Sequence, residues 1–202
     1  KEALSTALRK VLNAVNTRST IPVLNNVLLE SDGDKLTLAA TDLEVYLKAT
    51  VEAKVERPGR TTLPARKFGQ IVSALPDGDV VLDTDDDQHT SISCNKSFFK
   101  ILGLDPADFP EEGEADSTWS FALPANELRQ TLGKVSYSAS TDETRHVLNG
   151  VLLSIRTGIL TTVATDGRRL ALVERPLDGD GNEDCDVILP PKVVGELVSA
   201  WV

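Results

Sequence analysis

Residues Leu4 to Leu47 align without a gap on Leu128 to Ala171 at a constant offset of 124, and seventeen of the 44 paired positions are identical. The identities cluster in Val23-Leu24-Asn25 and Val27-Leu28-Leu29 against Val147-Leu148-Asn149 and Val151-Leu152-Leu153, and in Ala40-Thr41-Asp42 against Ala164-Thr165-Asp166. Whatever fold the first copy takes, the second must take again. Solenoid repeats have periods of about 20 to 50 residues, so this spacing indicates whole domains in tandem. A shorter phrase recurs three times, as Leu63-Pro64-Ala65-Arg66-Lys67, Leu123-Pro124-Ala125-Asn126-Glu127 and Leu189-Pro190-Pro191-Lys192-Val193, each opening an apolar-periodic segment. Each domain is thereby divided again.

The spacing predicts four related helices. Leu4, Leu8, Val11, Leu12 and Val15 fall on one helical face, and Leu128, Leu132 and Val135 repeat it. Phe68, Ile71, Val72 and Leu75 form a second stripe, repeated by Val194, Leu197, Val198 and Trp201. Pro64, Pro124 and Pro190 stand before or at the first turn of three of these helices, where a missing N–H has no consequence. Alternation along Leu36 to Ala40 and Val45 to Glu52 predicts strands, with a hairpin turn at Ser31-Asp32-Gly33-Asp34. Each half-domain then reads as one helix followed by antiparallel strands, an α+β architecture with helices on one face. The acidic, proline-containing stretch from Asp105 to Thr118 has no apolar period and reads as a linker, which puts the domain boundary near Ser117.

At 202 residues with 41% hydrophobic content, the chain can supply a core for one or two domains. Cys94 and Cys185 fall at non-equivalent places in the duplication, and each reads as a lone buried thiol in a reduced, cytoplasmic protein. His89 and His146 have no neighbour at ligand spacing, so neither a metal nor a cofactor is implied. No apolar run approaches the roughly 20 residues of a membrane span. The chain contains no methionine and begins at Lys1 inside a helical pattern, so residues are expected to precede it.

The net charge of −10 argues superficially against nucleic acid, but its distribution reverses the argument. The four helical segments, 1–15, 65–75, 125–135 and 191–200, hold eight basic residues against three acidic ones, a surplus of five that leaves −15 elsewhere. Helices on a common face would make that face positive and the rest acidic, which suits a protein that holds a polyanion on one side only. No aromatic residue interleaves the basic positions, so stacking on single strands is not expected and contact should be with the backbone.

Thr41-Asp42 and Thr165-Asp166-Gly167-Arg168-Arg169 are the polar motifs that look deliberate. A phosphoryl-transfer enzyme could use Asp166 as base or ligand and Arg169 for phosphate. Against it, Asp42 repeats Asp166, and an aspartate at a strand end more often bonds its own turn. There is no glycine-rich phosphate loop, nucleophile elbow or metal-spaced cluster. The acidic run Asp83, Asp85, Asp86, Asp87 reads as a solvated loop. The reading is therefore of a non-catalytic protein.

The phrases Leu63-Pro64-Ala65-Arg66-Lys67, Leu104-Asp105-Pro106-Ala107-Asp108-Phe109-Pro110, Leu148-Asn149-Gly150 and Val163 to Ala171 together resemble the bacterial sliding clamp family, the beta subunit of DNA polymerase III, in the family's order across nearly the whole chain. The resemblance implies three similar domains per subunit and a head-to-tail homodimeric ring around double-stranded DNA. Such a ring is a processivity factor in DNA replication that tethers the polymerase. It also implies that 1–117 is clamp domain 1 without its first strand, that 118–202 is domain 2 stopping in its second helix, and that domain 3 is absent. The expected partners are duplex DNA, DNA polymerase and clamp-loader subunits, with no membrane. A non-enzymatic scaffold of the same architecture that never surrounds DNA is the alternative.

Carried over position by position, the family's partner-peptide pocket falls on Leu148, Thr165, Gly167, Arg168, Arg169 and Leu170. Its DNA-contacting loops fall on Arg18 and on Arg145 with His146, while Asp142 departs from a neutral polar residue usual in some members. Arg66, Lys67 and Arg129 join the DNA-facing set from the helices. Phe99 and Ile101 match the edge strand that pairs across the dimer. At the pocket's counterpart, domain 1 carries Leu24, Leu43, Glu44, Val45 and Tyr46, without Gly167 and both arginines, and is expected not to bind.

Overall fold

The computed structural model describes residues 1–15, 19–113, 121–177 and 184–199. The chain divides into two compact units, Lys1–Gly113 and Glu114–Val202.

In the first unit, α1 (Glu2–Leu12) is followed by a 3₁₀ turn at Pro22–Asn25 and then by β1 (Asn26–Asp32), β2 (Lys35–Thr41), β3 (Tyr46–Glu52) and β4 (Gly59–Pro64). The chain continues as α2 (Ala65–Ala74), β5 (Val81–Thr84), β6 (His89–Cys94) and β7 (Ser97–Leu102). Two antiparallel sheets result, in the orders β3-β2-β1-β4 and β5-β6-β7. The first helix stripe is buried as its spacing predicts, at Leu4, Leu8 and Val11, and so is the second at Phe68 and Val72. Val27, Leu29, Leu38 and Ala40 from the first sheet and Ile92 and Ile101 from the second meet them in one core.

The second unit repeats the plan with α3 (Ala125–Val135), β8 (Val151–Arg156), β9 (Ile159–Thr165), β10 (Leu170–Pro176), β11 (Cys185–Leu189) and α4 (Pro191–Ser199). Its sheet order, β10-β9-β8-β11, is the first sheet again, and the registers coincide: Thr41 pairs with Tyr46 as Thr165 pairs with Leu170. Leu132, Val135, Val151, Leu153, Leu160 and Val194 form the core. Pro64 and Pro124 cap α2 and α3, and Pro191 opens α4. Trp201, the boundary near Ser117 and Arg18 lie outside the described residues.

β1–β4 follow α1 in one sheet and β5–β7 follow α2 in the other, so each half of the first unit is a helix and the antiparallel strands after it, as expected. Three expectations change. Cys94 is buried, but Cys185 is only half-buried, because its strand pairs with β8 on one side alone. The acidic run is less freely solvated than a plain loop: Asp83 pairs with Arg57, and Asp85 accepts the His89 N–H at 2.9 Å, closing the β5–β6 hairpin.

The largest change concerns the stretch read as a linker. Leu104 bridges to Thr62 of β4, Asp105 caps a 3₁₀ turn at Pro106–Asp108, and Phe109 is buried against Val23, Leu24, Leu28 and Ala39 on the face of the first sheet turned away from the helices. Lys48 holds Glu112 at 2.6 Å beyond it. One aromatic anchor is enough to dock such a segment, and a single anchor leaves no period to read.

Candidate partner-binding and nucleic-acid surfaces

The turn between β9 and β10 is organised by Thr165 and Asp166. Asp166 Oδ1 accepts the backbone N–H of Arg168 at 2.9 Å and of Arg169 at 3.0 Å, while Oδ2 accepts from Arg169 Nε at 3.1 Å. Thr165 Oγ1 accepts the Gly167 N–H at 3.1 Å and donates to the Arg169 carbonyl at 2.7 Å. The two backbone N–H groups, Arg168 first, hold the Asp166 carboxyl below the usual carboxylate range. A weakly basic carboxylate engaged by its own turn is a poor general base. Asp42 does the same in the first unit, accepting from Glu44 N at 3.2 Å and Val45 N at 2.8 Å.

With Asp166 occupied in this way, the Arg169 guanidinium is carried over the ring of Tyr137, 5.7 Å from its centroid. Gly167 adopts φ +86, and a Cβ there would lie 3.9 Å from Arg145 Nη1. The turn therefore lies against the segment around 137–148. Arg168, Arg169 and Leu170 are exposed, Leu148 and Thr165 half-buried. Leu148 is fixed by its backbone, its carbonyl accepting from Ser140 N at 2.9 Å and its N–H donating to Arg145 O at 2.8 Å. Tyr137, Val147 and Leu172 add exposed apolar surface that the sequence did not single out. Leu172 was legible as the outward partner of Leu170 at strand spacing, but Tyr137 precedes the strands in an irregular segment and gave no signal.

Of the residues expected to face DNA, Arg66 and Lys67 are exposed on α2 and Arg129 is half-buried on α3. A groove of about 750 Å³ between α1 and α2 is lined by Ser5, Arg9, Arg66, Gln70 and Ser73 over an apolar floor of Leu8 and Leu12. Arg145 is held by Asp142 at 3.5 Å, and His146 is exposed. Thr144, chiefly through its side-chain hydroxyl, holds the Asp142 carboxyl below the usual range, so the loop carries a compensated rather than a free positive charge.

At the edge expected to pair across a dimer, β7 is an outer strand. Ile101 points into the core, so it offers backbone but no side chain there. The exposed apolar surface belongs to Phe98, Phe99, Leu102 and Leu104. Alternation puts Phe99 and Ile101 on one face of the strand and does not say that Ile101 alone is covered.

A duplicated α+β chain with helices packed on antiparallel sheets, whose Thr-Asp motifs build strand turns, has the fold of the clamp-type class of proteins. Residues 1–112 match the model of the DNA polymerase III beta subunit N-terminal domain, and residues 122–201 match that of its central domain. The beta sliding clamp of Synechocystis is 42% identical over 193 residues, covering 92% of this chain and 49% of the relative. That of Chlamydia muridarum is 35% identical over 198 residues, covering 98% and 54%. Among solved structures, the DNA polymerase III subunit beta of Pseudomonas aeruginosa superposes with a TM-score of 0.90 at 36% identity, covering 98% of this chain and 54% of that one. The polymerase III beta of Caulobacter crescentus gives 0.89 at 39% identity, covering 96% and 54%. The chain belongs to the DNA polymerase III beta subunit family, and it spans about half the length of the relatives it matches.

Proposed function

We propose that this chain is the first two domains of a DNA sliding clamp, 1–117 and 118–202, which in its complete form closes a head-to-tail homodimeric ring around double-stranded DNA in the cytoplasm. The observation that carries this reading is the match of its two units, in order, to two successive domains of the family. The ring tethers the replicative polymerase, and its loader, through the patch at Leu148, Thr165, Gly167, Arg168, Arg169 and Leu170. Tethering raises the effective concentration of polymerase at the primer end without requiring tight DNA contact. The helix residues Arg66, Lys67 and Arg129, with Arg18, Arg145 and His146 from the loops, face the phosphate backbone. Phe99 and the backbone of Ile101 lie at the dimer edge.

Loading the complete protein onto nicked circular DNA tests this. A clamp stays with the circle through gel filtration and is lost once the circle is cut. A scaffold that does not encircle DNA elutes free in both cases, and that result would overturn the reading.

A further inference from the structure

Between α1 and α2 of the first unit lies the groove of about 750 Å³, a volume inside the range of roughly 300–1,000 Å³ typical of small-molecule sites. Its floor is apolar. Leu8, buried, and Leu12, half-buried, form it from α1, and Gly69 completes it from α2. A Cβ at position 69 would lie 3.2 Å from Leu12 Cδ1 and 3.9 Å from Leu8 Cδ2. Glycine inside a helix is destabilising relative to alanine, and here its missing side chain keeps the floor clear.

The rim is positive. Arg9 comes from α1 and Arg66 from α2, Gln70 follows one turn after Arg66, and no carboxylate is among the described residues that line the groove. Arg9 Nη2 donates to the neutral Thr6 hydroxyl at 3.3 Å, and Arg9 forms no ion pair among the described residues. Aligned through the duplication and the recurring Leu-Pro phrase, the second unit also carries two cations, Arg129 for Ser5 and Lys192 for Arg66. It does not repeat the rest, because Gly133 stands for Arg9, Ser136 for Leu12 and Glu196 for Gln70.

We propose that this groove binds one small amphipathic anion, its apolar ring system lying over Leu8, Leu12 and Gly69 and its carboxylate, sulfonate or phosphate taken by Arg9 and Arg66. Charge complementarity between rim and ligand sets the sign, and the floor sets the body. Exposed arginines alone hold an anion weakly in water, so a purely polar anion gains little, whereas apolar area removed from water adds the missing stabilisation. A duplex backbone offers this groove charge but no apolar surface, so the ligand is of another class than DNA. The inference does not depend on the chain encircling DNA; if Arg66 also faces phosphate, an occupant would compete with it there.

The test is a fluorescence titration of the full chain with 8-anilinonaphthalene-1-sulfonate, an aromatic ring system bearing one anionic group. Wild type should show a saturable class of one dye per chain. Arg9→Gln combined with Arg66→Gln, and separately Gly69→Leu, which fills the floor, should each weaken that class by at least about tenfold. Lys10→Gln removes a neighbouring charge of α1 that does not line the groove and should leave the affinity within about twofold. The uncharged analogue N-phenyl-1-naphthylamine should bind at least about tenfold more weakly than the sulfonate. Affinity unchanged in the double arginine variant or in Gly69→Leu, or lowered equally by Lys10→Gln, overturns the proposal. Should Gly69→Leu lose its native circular dichroism spectrum, the double arginine variant, altered only at exposed side chains, decides against Lys10→Gln.

Discussion

Leu43 and Gly167 occupy the same point of the duplicated turn and share its left-handed backbone, at φ 79° and 86°. Only glycine adopts that region without steric cost. The first copy holds a leucine there because the Thr41 hydroxyl and the Asp42 carboxylate bond the flanking N–H groups and fix the turn. Gly167→Ala should therefore destabilise the chain by about 1 kcal/mol. Leu43→Gly should come out within about 0.5 kcal/mol of neutral, since relief of strain is offset by the freer unfolded chain. Urea titration of both variants checks the pair, and a Gly167→Ala as stable as wild type would refute the strain argument.

A second non-equivalence lies in the core. Leu38 of β2 is fully buried, and its counterpart in β9 is Thr162, equally buried, whose Oγ1 has no partner among the described residues. A buried hydroxyl without a hydrogen bond costs about 1–3 kcal/mol. Thr162→Val keeps the shape and removes the hydroxyl, so it should raise the unfolding free energy by about 1 kcal/mol. A loss of stability on thermal melting would mean that the hydroxyl is bonded.

The Asp166 turn should respond to acid in a defined window. Its folded-state pKa lies below the ordinary value of 3.8, so its stabilising bonds are present at neutral pH and are lost only as pH falls through that lower value. The amide resonances of Arg168 and Arg169 should titrate together with a midpoint below 3.8. A midpoint above it would contradict the turn geometry.

DNA contact by the complete ring should be loose. Arg66 and Lys67 are exposed on one helix, and the charge near Arg145 is compensated by Asp142. Each of Arg66→Ala and Lys67→Ala should lower the slope of log affinity against log salt by about one unit while leaving binding measurable. Abolition of binding by either alone would point to a specific rather than a sliding contact.

Much of this architecture was legible in the chain because duplication doubles every signal. The stripes at Leu4, Leu8, Val11 and at Phe68, Val72 are both buried, and the capping prolines stand where their missing N–H groups are harmless. The role of Asp166 was legible for the same reason, since Asp42 repeats it in a copy that lacks the arginines. Single anchors were not legible. Phe109 sits in an acidic, aperiodic stretch, Tyr137 in an irregular one, and Ile101 is buried while Phe99, in the same strand phase, is exposed. Each depends on what the chain brings opposite it, and sequence spacing does not carry that information. The expectation that the first unit's counterpart pocket is silent for want of arginines omitted the aromatic ring that covers it.

The arginine rim offers the last prediction. Arg169 is held between the Asp166 carboxylate and the Tyr137 ring, so its remaining N–H donors are oriented before any peptide arrives. Pre-organisation of this kind lowers the ordering cost of binding and favours a carboxylate or amide on the ligand. Leu148 supplies apolar surface whose backbone is fixed by Ser140 and Arg145. In the complete protein, Leu148→Ala combined with Arg169→Ala should weaken binding of a polymerase-derived peptide by about 2 kcal/mol or more. Tyr137→Phe should leave affinity nearly unchanged, because the ring face is retained, whereas Tyr137→Ala should cost about 1 kcal/mol. Fluorescence anisotropy with labelled peptide measures all three. Full affinity in a correctly folded Leu148→Ala, Arg169→Ala variant would remove this patch from consideration as the partner site.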